Sequence, residues 1–187
     1  MFSPIAEINL QNLLSNTKYI KSIIGEKQLF PVVKANAYGH GLVQIVKFLN
    51  KLNIVDGFCV ATPFEAESIL SLNINKPIFI LGKFDFDKID LLKNKNLIPT
   101  IHSIDDFEMI LSHQNQNINT KIQIKIDTGM GRMGFELNEI PFLIKEIIKH
   151  KINIIGVWSH LSSANEPNSN YTNIQIEKFK SILSLFL

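Results

Sequence analysis

The stretch LFPVVKANAYGHGLVQIVKFLN, residues 29–50, holds one strand-and-helix unit and sets the pattern for the rest of the chain. The run at 29–37 is short and apolar with β-branched valines, which predicts a strand. Apolar residues then recur at helical spacing from Leu42 to Leu49, which predicts a helix over 40–51. A lysine ends the predicted strand, and a polar, glycine-containing turn follows it, so this junction needs a chemical explanation.

The same alternation continues along the chain. Strands are predicted at 57–62, 77–82, 97–101, 121–127 and 152–160, and helices at 10–24, 64–72, 86–95, 104–112, 139–150 and 170–187. Gly25 is predicted to end the first helix, and Ser103 to cap the helix that begins at 104. Strands that alternate with helices imply a parallel sheet and an α/β fold, either an open doubly wound sheet or a (β/α) barrel.

The composition is that of an ordinary globular protein and argues against several classes of protein. The net charge of +2 is too balanced to suggest a nucleic-acid or acidic-membrane partner. No apolar stretch approaches the roughly 18 residues of a membrane span, and the N-terminus lacks the pattern of a secretory signal. Cys59 is the single cysteine, which excludes an internal disulfide and suits a small core residue. We therefore expect a soluble cytoplasmic protein without a metal site.

Polar residues follow three of the predicted strands, at the ends that carry the chemistry in parallel α/β folds. Lys34 follows the first strand. Lys34 either extends its ammonium group towards water or takes part in a reaction. The second alternative is open because a desolvated lysine becomes a nucleophile suited to Schiff-base chemistry. Tyr38 is either a surface phenol or a hydrogen-bond donor to a phosphate. Gly39 and Gly41 permit a tight turn, which we expect to expose backbone N–H groups before the helix. His40 is given no catalytic role.

The second cluster is KIDTGMGRMGF, residues 125–135. Its glycines match G-x-G-x-x-G, but a dinucleotide site needs a helix starting in the glycines and an acid near the end of the next strand, so nicotinamide binding is rejected. The loop instead presents Arg132, the only arginine among 19 basic residues, whose planar fork suits a carboxylate or phenolate oxygen. Lys125 alternates with isoleucines and is expected to point into an interior, where an uncompensated charge is costly. Asp127 lies two positions further on.

The third cluster is GVWSHLSSAN, residues 156–165, after the last predicted strand. His160 stands at the end of that strand, and Trp158 is interpreted as a packing residue. Because the carboxyl ends of parallel strands share one face, we expect the three clusters to converge.

These three clusters, in this order, resemble the cofactor-lysine motif, the loop after barrel strand five and the active-site histidine segment of alanine racemases, which are fold-type III pyridoxal-phosphate enzymes. The segment AEINL, residues 6–10, also resembles the opening of that family. The resemblance covers essentially the whole chain, and VVKANAYGHG, residues 32–41, is its most specific part.

The resemblance implies a role for each candidate residue. Lys34 would form the internal aldimine with pyridoxal 5′-phosphate and be one of two acid–base groups, the one that handles the D-alanine face. Tyr38 would bind the cofactor phosphate. Arg132 would hydrogen-bond the phenolic oxygen of the cofactor and approach the substrate carboxylate. Lys125 corresponds to a lysine that is often carbamylated and orients that arginine, and His160 would lie beside the pyridine ring.

The resemblance also implies an incomplete (β/α)8 barrel over residues 10–187, with about six of eight units, since a complete one takes about 250 residues. In the family, a segment like 1–9 associates with a C-terminal β-domain that this chain lacks. The enzyme is a homodimer that makes D-alanine for peptidoglycan. Its second base, a tyrosine, and the arginine at the pyridine nitrogen cannot be matched here. The resemblance therefore implies a truncated chain that is inactive or nearly so alone.

Other functions stay open at this level. A non-catalytic pyridoxal-phosphate-binding barrel protein would share the lysine but lacks the paired KANAYGHG and DTGMGR motifs. A remnant of a broken gene would serve no function. A fold-type III decarboxylase, or a racemase of another small amino acid, would share the cofactor chemistry, although the turn after Lys34 is typical of racemases.

Overall fold

The computed structural model describes residues 5–114 and 120–186, in two compact units, Met1–Gly82 and Lys83–Leu187. In both units the paired strands are parallel, and each strand is followed along the chain by a helix. This alternation confirms the α/β fold class. The incomplete eight-unit barrel stays a prediction, as does the separate segment 1–9, which lies partly outside the described residues.

In its described part, the first unit contains three α-helices and two strands. In chain order these are α1 (Leu10–Ile24), α2 (Leu42–Asn50), β1 (Phe58–Val60), α3 (Pro63–Leu70) and β2 (Ile78–Ile80). β1 and β2 pair in parallel, with Phe58 opposite Ile78. Val32 adds an isolated parallel bridge to Cys59, which marks the position of the first predicted strand.

The second unit, where it is described, begins with a 3₁₀ helix and continues with three strands and three α-helices. In chain order these are the 3₁₀ helix Phe86–Lys93, β3 (Leu97–Ile101), α4 (Ile104–Gln114), β4 (Lys121–Lys125), α5 (Ile140–His150), β5 (Asn153–Trp158) and α6 (Tyr171–Leu183). β4 lies between β3 and β5 and is parallel to both. The register of β4 and β5 shifts between Ile122 and Gln123.

Burial is most complete in β1 and β3, whose residues are almost uniformly apolar, whereas β4 alternates apolar with polar residues and β5 is only partly buried. Every residue of β1 and of β3 is buried, and the β4 side chains Ile122 and Ile124 are fully excluded from solvent. Near-continuous apolar strands are typical of parallel sheets that are covered on both faces. Complete burial of one such side chain contributes about 1.5–3 kcal/mol to stability.

Capping residues define several helix ends. The side chain of Asn9 accepts hydrogen bonds from two backbone N–H groups in the first turn of α1, and Gly25, with φ of 63°, ends this helix as predicted. Ser103 Oγ accepts from the N–H of Asp106 at 3.2 Å, which confirms that it caps α4. No helix within 5–114 or 120–186 is both long enough and apolar enough to cross a bilayer.

The first predicted strand, 29–37, is wrong over most of its length. Strand pairing there is limited to the Val32 bridge, and Val33 N–H donates to the Cys59 carbonyl oxygen at 2.8 Å. Lys34–Tyr38 instead forms a helical turn in which Ala35 to Tyr38 have left-handed backbone angles. The predicted helix at 86–95 is a 3₁₀ helix. α1 and β3 have the predicted bounds, and the other elements are present with shifted ends. Residue 187, included in the last predicted helix, lies outside the described residues.

Gly57 lies directly before β1, where a methyl group has no room. A Cβ there would lie 2.5 Å from the carbonyl oxygen of Pro77 and 2.9 Å from Cδ1 of Phe30. Gly57→Ala is expected to lower the free energy of unfolding by about 1–3 kcal/mol, because the backbone must shift. Urea unfolding measures the change.

The matched control for this variant is Gly156→Ala in β5. A Cβ at position 156 meets only Cβ of Gln123, at the ordinary distance of 3.9 Å. We expect its unfolding free energy to stay within about 0.5 kcal/mol of the wild type. Equal losses in the two variants would contradict the steric account of Gly57.

Candidate active site

Lys34 opens a turn with an uncommon backbone conformation. The next four residues, Ala35, Asn36, Ala37 and Tyr38, have φ values between 50° and 56°. This left-handed conformation costs residues with side chains roughly 1–2 kcal/mol each, and it is rarely sustained over successive positions. Strain of this kind persists only where surrounding contacts hold it, and it clusters at functional sites. The Lys34 turn, residues 34–38, is therefore a candidate site.

Local hydrogen bonds help to hold the Lys34 turn. Asn36 Oδ1 accepts from the backbone N–H of Leu42 at 2.8 Å, and the Asn36 carbonyl oxygen accepts from Gly41 N–H at 2.9 Å. The N–H groups of Gly39 and His40 donate to carbonyl oxygens inside the same turn. The expectation that this glycine turn exposes its backbone N–H groups before the helix is therefore wrong, because these groups donate within the turn.

The side chains of Lys34 and Tyr38 are both accessible on this turn. Lys34 is half-buried, and its Nζ lies 5.9 Å from the centre of the Tyr38 ring, which is 58% exposed. Within the described residues, no carboxylate pairs with the lysine and no group hydrogen-bonds the tyrosine hydroxyl. His40 has a different role, since its Nδ1 lies 2.9 Å from the carbonyl oxygen of Ala37 and stabilises the turn. Lys34 and Tyr38 are thus available to a ligand.

Glu65, in the first turn of α3, reaches the Lys34 turn from another element. Its Oε1 accepts from the backbone N–H of Ala35 at 2.7 Å, and its Oε2 accepts from the N–H groups of Ala61 at 2.8 Å and Thr62 at 3.2 Å. Thr62 Oγ1 accepts in return from the N–H of Glu65 at 3.3 Å, which completes a capping box. The sequence TPFE carries the capping signal, but only the structure shows the bond beside Lys34.

In the second unit, Asp127 folds the glycine loop that follows β4. Its Oδ1 accepts from the N–H of Gly129 at 2.8 Å, and its Oδ2 accepts from the N–H of Arg132 at 3.1 Å. Burial would by itself raise the pKa of this carboxyl. The backbone N–H groups of Gly129, Gly131, Met130 and Arg132 outweigh burial and hold the pKa below its ordinary value. Asp127 is therefore an ionised carboxylate that shapes the loop.

Two glycines of this loop stand where a side chain would be strained. Gly134 has φ of 124°, and a Cβ there would lie 2.8 Å from the backbone nitrogen of Asp127. Gly129 has φ of 135°, and its carbonyl oxygen accepts from the Tyr171 hydroxyl at 2.7 Å, so a Cβ would strike that hydroxyl. α5 begins only at Ile140, so the helix that a dinucleotide site requires does not start in these glycines.

The expected burial of Lys125 is confirmed, since only 3% of its surface is exposed. Its Nζ lies 5.0 Å from the centre of the Trp158 ring, whose Nε1 is buried and has no hydrogen-bond partner within the described residues. Burial and then the charge of Arg132 lower the pKa of Lys125, against a smaller opposing effect of Asp127. Arg132 is exposed, and no carboxylate in the described ranges pairs with its guanidinium. This set of donors suits an anion or an electron-rich oxygen.

Gln175 of α6 is fully buried and joins the glycine loop to the segment that contains His160. Its Nε2 donates to Thr128 Oγ1 at 3.3 Å and to the carbonyl oxygen of His160 at 3.0 Å, and its Oε1 accepts from Ser162 N–H at 2.9 Å. The second and third clusters are thus brought together within the second unit, with the His160 side chain exposed. Sequence reasoning missed Gln175. The available signal was its position on the inner face of α6, seven residues before buried Ile182.

Comparison with known proteins agrees with this arrangement. The chain matches the family model of the alanine racemase N-terminal domain over residues 8–186. An alanine racemase from Carboxydothermus hydrogenoformans is 36% identical over 186 residues, which cover 95% of this chain and 48% of that protein. The crystal structure of alanine racemase from E. faecalis is similar with a TM-score of 0.86 and 32% identity, over 95% of this chain and 49% of that one.

A further solved structure widens the range of relatives. The histidine racemase from Leuconostoc mesenteroides subsp. sake is similar with a TM-score of 0.81 and 26% identity, over 90% of this chain and 46% of that one. This chain spans about half the length of the curated relatives it matches. The family model nevertheless matches almost all of it, in agreement with the three motifs. This chain therefore belongs to the alanine racemase family, within the part that the family model describes as the N-terminal domain.

Proposed function

We propose that this chain is the cofactor-binding part of an enzyme that interconverts L-alanine and D-alanine with pyridoxal 5′-phosphate. Such an enzyme supplies D-alanine for peptidoglycan synthesis and works in the cytoplasm. The Lys34 turn carries the proposal, because it holds a half-buried amine and a tyrosine hydroxyl on one strained turn. Membership of the alanine racemase family supports the same reaction.

The side chains present fit this cofactor. An aldehyde requires an amine, which Lys34 supplies, and a phosphate requires hydrogen-bond donors, one of which is the Tyr38 hydroxyl. In the second unit, the Arg132 guanidinium suits the phenolic oxygen. Within the described residues, none of these three donors is committed to a carboxylate.

Each half of a racemisation needs a group that moves a proton at the substrate Cα. When bound, the cofactor acts as an electron sink that acidifies the hydrogen on this carbon. Lys34 Nζ is the group that takes and returns the proton on the D-alanine face, and the strained turn holds it in place. The opposite face needs a second group, and no residue of this chain is assigned to it or to the pyridine nitrogen. We expect other regions of a homodimeric enzyme to supply both.

Arg132 and His160 complete the set of residues proposed to contact the cofactor. Arg132 would donate to the phenolic oxygen and approach the substrate carboxylate, and its backbone N–H donates to the carboxylate of Asp127. His160 would lie beside the pyridine ring, and its backbone carbonyl oxygen accepts from Gln175 Nε2.

Lys125 is proposed to carry a carbamate that orients Arg132. The neutral amine attacks the carbon of CO₂, an N–C bond forms as one C–O π bond opens onto oxygen, and the nitrogen loses a proton to solvent. The carbamate places a negative charge beside Arg132, where the protonated Lys125 amine would place a positive one. This change removes the repulsion that helps to lower the pKa of Lys125.

A racemase of another amino acid is the second candidate, and the likeness to a histidine racemase supports it. Both candidates use the same cofactor chemistry and differ in the residues that contact the substrate side chain. Incubating the protein and its cofactor separately with D-alanine and D-histidine in D₂O, and following loss of the Cα hydrogen signal, distinguishes them, because this exchange needs only the group on the D face.

Lys34→Ala is expected to abolish covalent binding of pyridoxal 5′-phosphate, because the amine is lost. The wild-type protein should develop an absorbance band near about 420 nm with the cofactor. Borohydride reduction and peptide mass analysis should place the cofactor on Lys34. Lys47→Ala, at an exposed position of α2, is the control and should keep the band. Persistence of the band in Lys34→Ala would refute the assignment.

Tyr38→Phe removes one exposed hydroxyl and tests phosphate binding. We expect the affinity for pyridoxal 5′-phosphate to fall roughly 10- to 100-fold, since a hydrogen bond to a charged group contributes about 1.5–3 kcal/mol. Pyridoxal lacks the phosphate and should bind the variant and the wild type equally in the same absorbance titration. An equal loss of affinity for pyridoxal would show that Tyr38 does not act at the phosphate.

The carbamate predicts an extra ¹³C resonance in the wild-type protein under labelled CO₂ that Lys125→Ala lacks. Only the neutral amine reacts, and the pKa of Lys125 is lowered. At a fixed CO₂ pressure, the resonance should therefore grow as pH rises through this lowered pKa, at a lower pH than for an exposed lysine. Lys47→Ala should retain the resonance. Its survival in Lys125→Ala would contradict the proposal.

A further inference from the structure

The geometry around Glu65 points to a role beyond capping a helix. We propose that Glu65 is a positioning residue for Lys34, whose carboxylate holds the left-handed turn, and with it the amine, in the arrangement that receives the cofactor. This inference rests on the proposed function of Lys34.

The position of the Ala35 bond gives Glu65 control over Lys34. The N–H of Ala35 belongs to the same planar peptide unit as the carbonyl group of Lys34. The bond from this N–H to Glu65 Oε1 is 2.7 Å long and charge-assisted, so it restrains the orientation of that peptide. The peptide before Lys34 is held as well, because the Val33 carbonyl oxygen accepts from Ala37 N–H at 2.9 Å. With the peptides on both sides held, the backbone angles of Lys34 are restricted, and so is the direction in which its side chain leaves the backbone.

The bond between Ala35 and Glu65 also connects the Lys34 turn to α3, which lies elsewhere in the first unit. The hydrogen bonds of Asn36, His40 and Gly41 join residues close in sequence, so they shape the turn without tying it to β1 and α3. Glu65 lies 30 residues from Ala35 and also binds the N–H of Ala61 just after β1. It therefore holds the turn at a set place beside the end of that strand.

Helix capping alone does not require this bond. The capping box of α3 is complete with the reciprocal hydrogen bonds between Glu65 and Thr62. Oε2 makes the capping contact, whereas Oε1 is directed to Ala35. The capping function and the positioning function are thus carried by different oxygen atoms and can be separated by substitution.

Three variants separate the two functions. Glu65→Ala removes all three acceptor contacts. Glu65→Gln keeps the size of the side chain but has only one acceptor oxygen. Its NH₂ group therefore faces a backbone N–H group, and two donors cannot form a hydrogen bond. Thr62→Ala is the matched control, because it removes the capping hydroxyl and leaves the Ala35 bond in place.

Cofactor binding by the full chain provides the first measurement. We expect Glu65→Ala to lower the affinity for pyridoxal 5′-phosphate by about 10-fold or more, because the competent arrangement of the turn is less populated. Glu65→Gln should show a smaller loss. Both should lower the visible circular dichroism per bound cofactor, while Thr62→Ala should match the wild type. Wild-type affinity and dichroism in both Glu65 variants would overturn the inference, as would equal losses in Thr62→Ala.

Amide hydrogen exchange measured without the cofactor tests the hydrogen bond between Glu65 and Ala35 independently of the proposed function. Glu65→Ala and Glu65→Gln should accelerate exchange in the peptide that contains Ala35, and Thr62→Ala should not. If the wild-type chain failed to bind the cofactor at Lys34, the proposed function would fall, and unchanged exchange in the Glu65 variants would separately refute the Glu65 contact. Glu65→Gln preserves the test if Glu65→Ala does not fold.

Discussion

The left-handed turn after Lys34 is the constraint on which the candidate site depends. Four successive residues with side chains avoid this conformation unless other contacts stabilise it. Asn36 supplies those contacts within the segment, and Glu65 supplies them from α3. The turn ends the strand-like run at Val33, so the lysine stands where the backbone leaves the direction of β1. The strained backbone and the position of the Lys34 amine therefore have one structural origin.

One carboxylate in each unit, Glu65 in the first and Asp127 in the second, stabilises a loop in the same way. Each accepts hydrogen bonds from several backbone N–H groups. An ionised carboxylate that is satisfied by amides can fold a loop without neutralising the cations near it. Among the described residues, Lys34 in the first unit and Arg132 in the second have no carboxylate partner. Each of these cations is therefore available to an anionic group of a ligand.

Particular elements show why some predictions succeeded and others failed. α1 was predicted over its full extent because helical spacing and Gly25 are local signals. The strand at 29–37 was overextended because the valines indicate β structure but do not report the backbone angles of Ala35 to Tyr38. The glycine turn was expected to offer its N–H groups, yet the carbonyl and side chain of Asn36 take up those of Gly41 and Leu42. In both cases the local conformation depends on hydrogen bonds that residue propensities do not report.

The sequence by itself determined the α/β class, the order of the elements and the family, because hydrophobic periods and motifs are properties of short stretches of chain. It also identified the candidate residues, which are Lys34, Tyr38, Lys125, Arg132 and His160. Only the tertiary structure decided that Glu65 holds the peptide beside Lys34 and that Gln175 joins two loops around a buried core. Those contacts join residues far apart in sequence, and a single hydrogen bond over such a separation leaves no periodic signal in the chain.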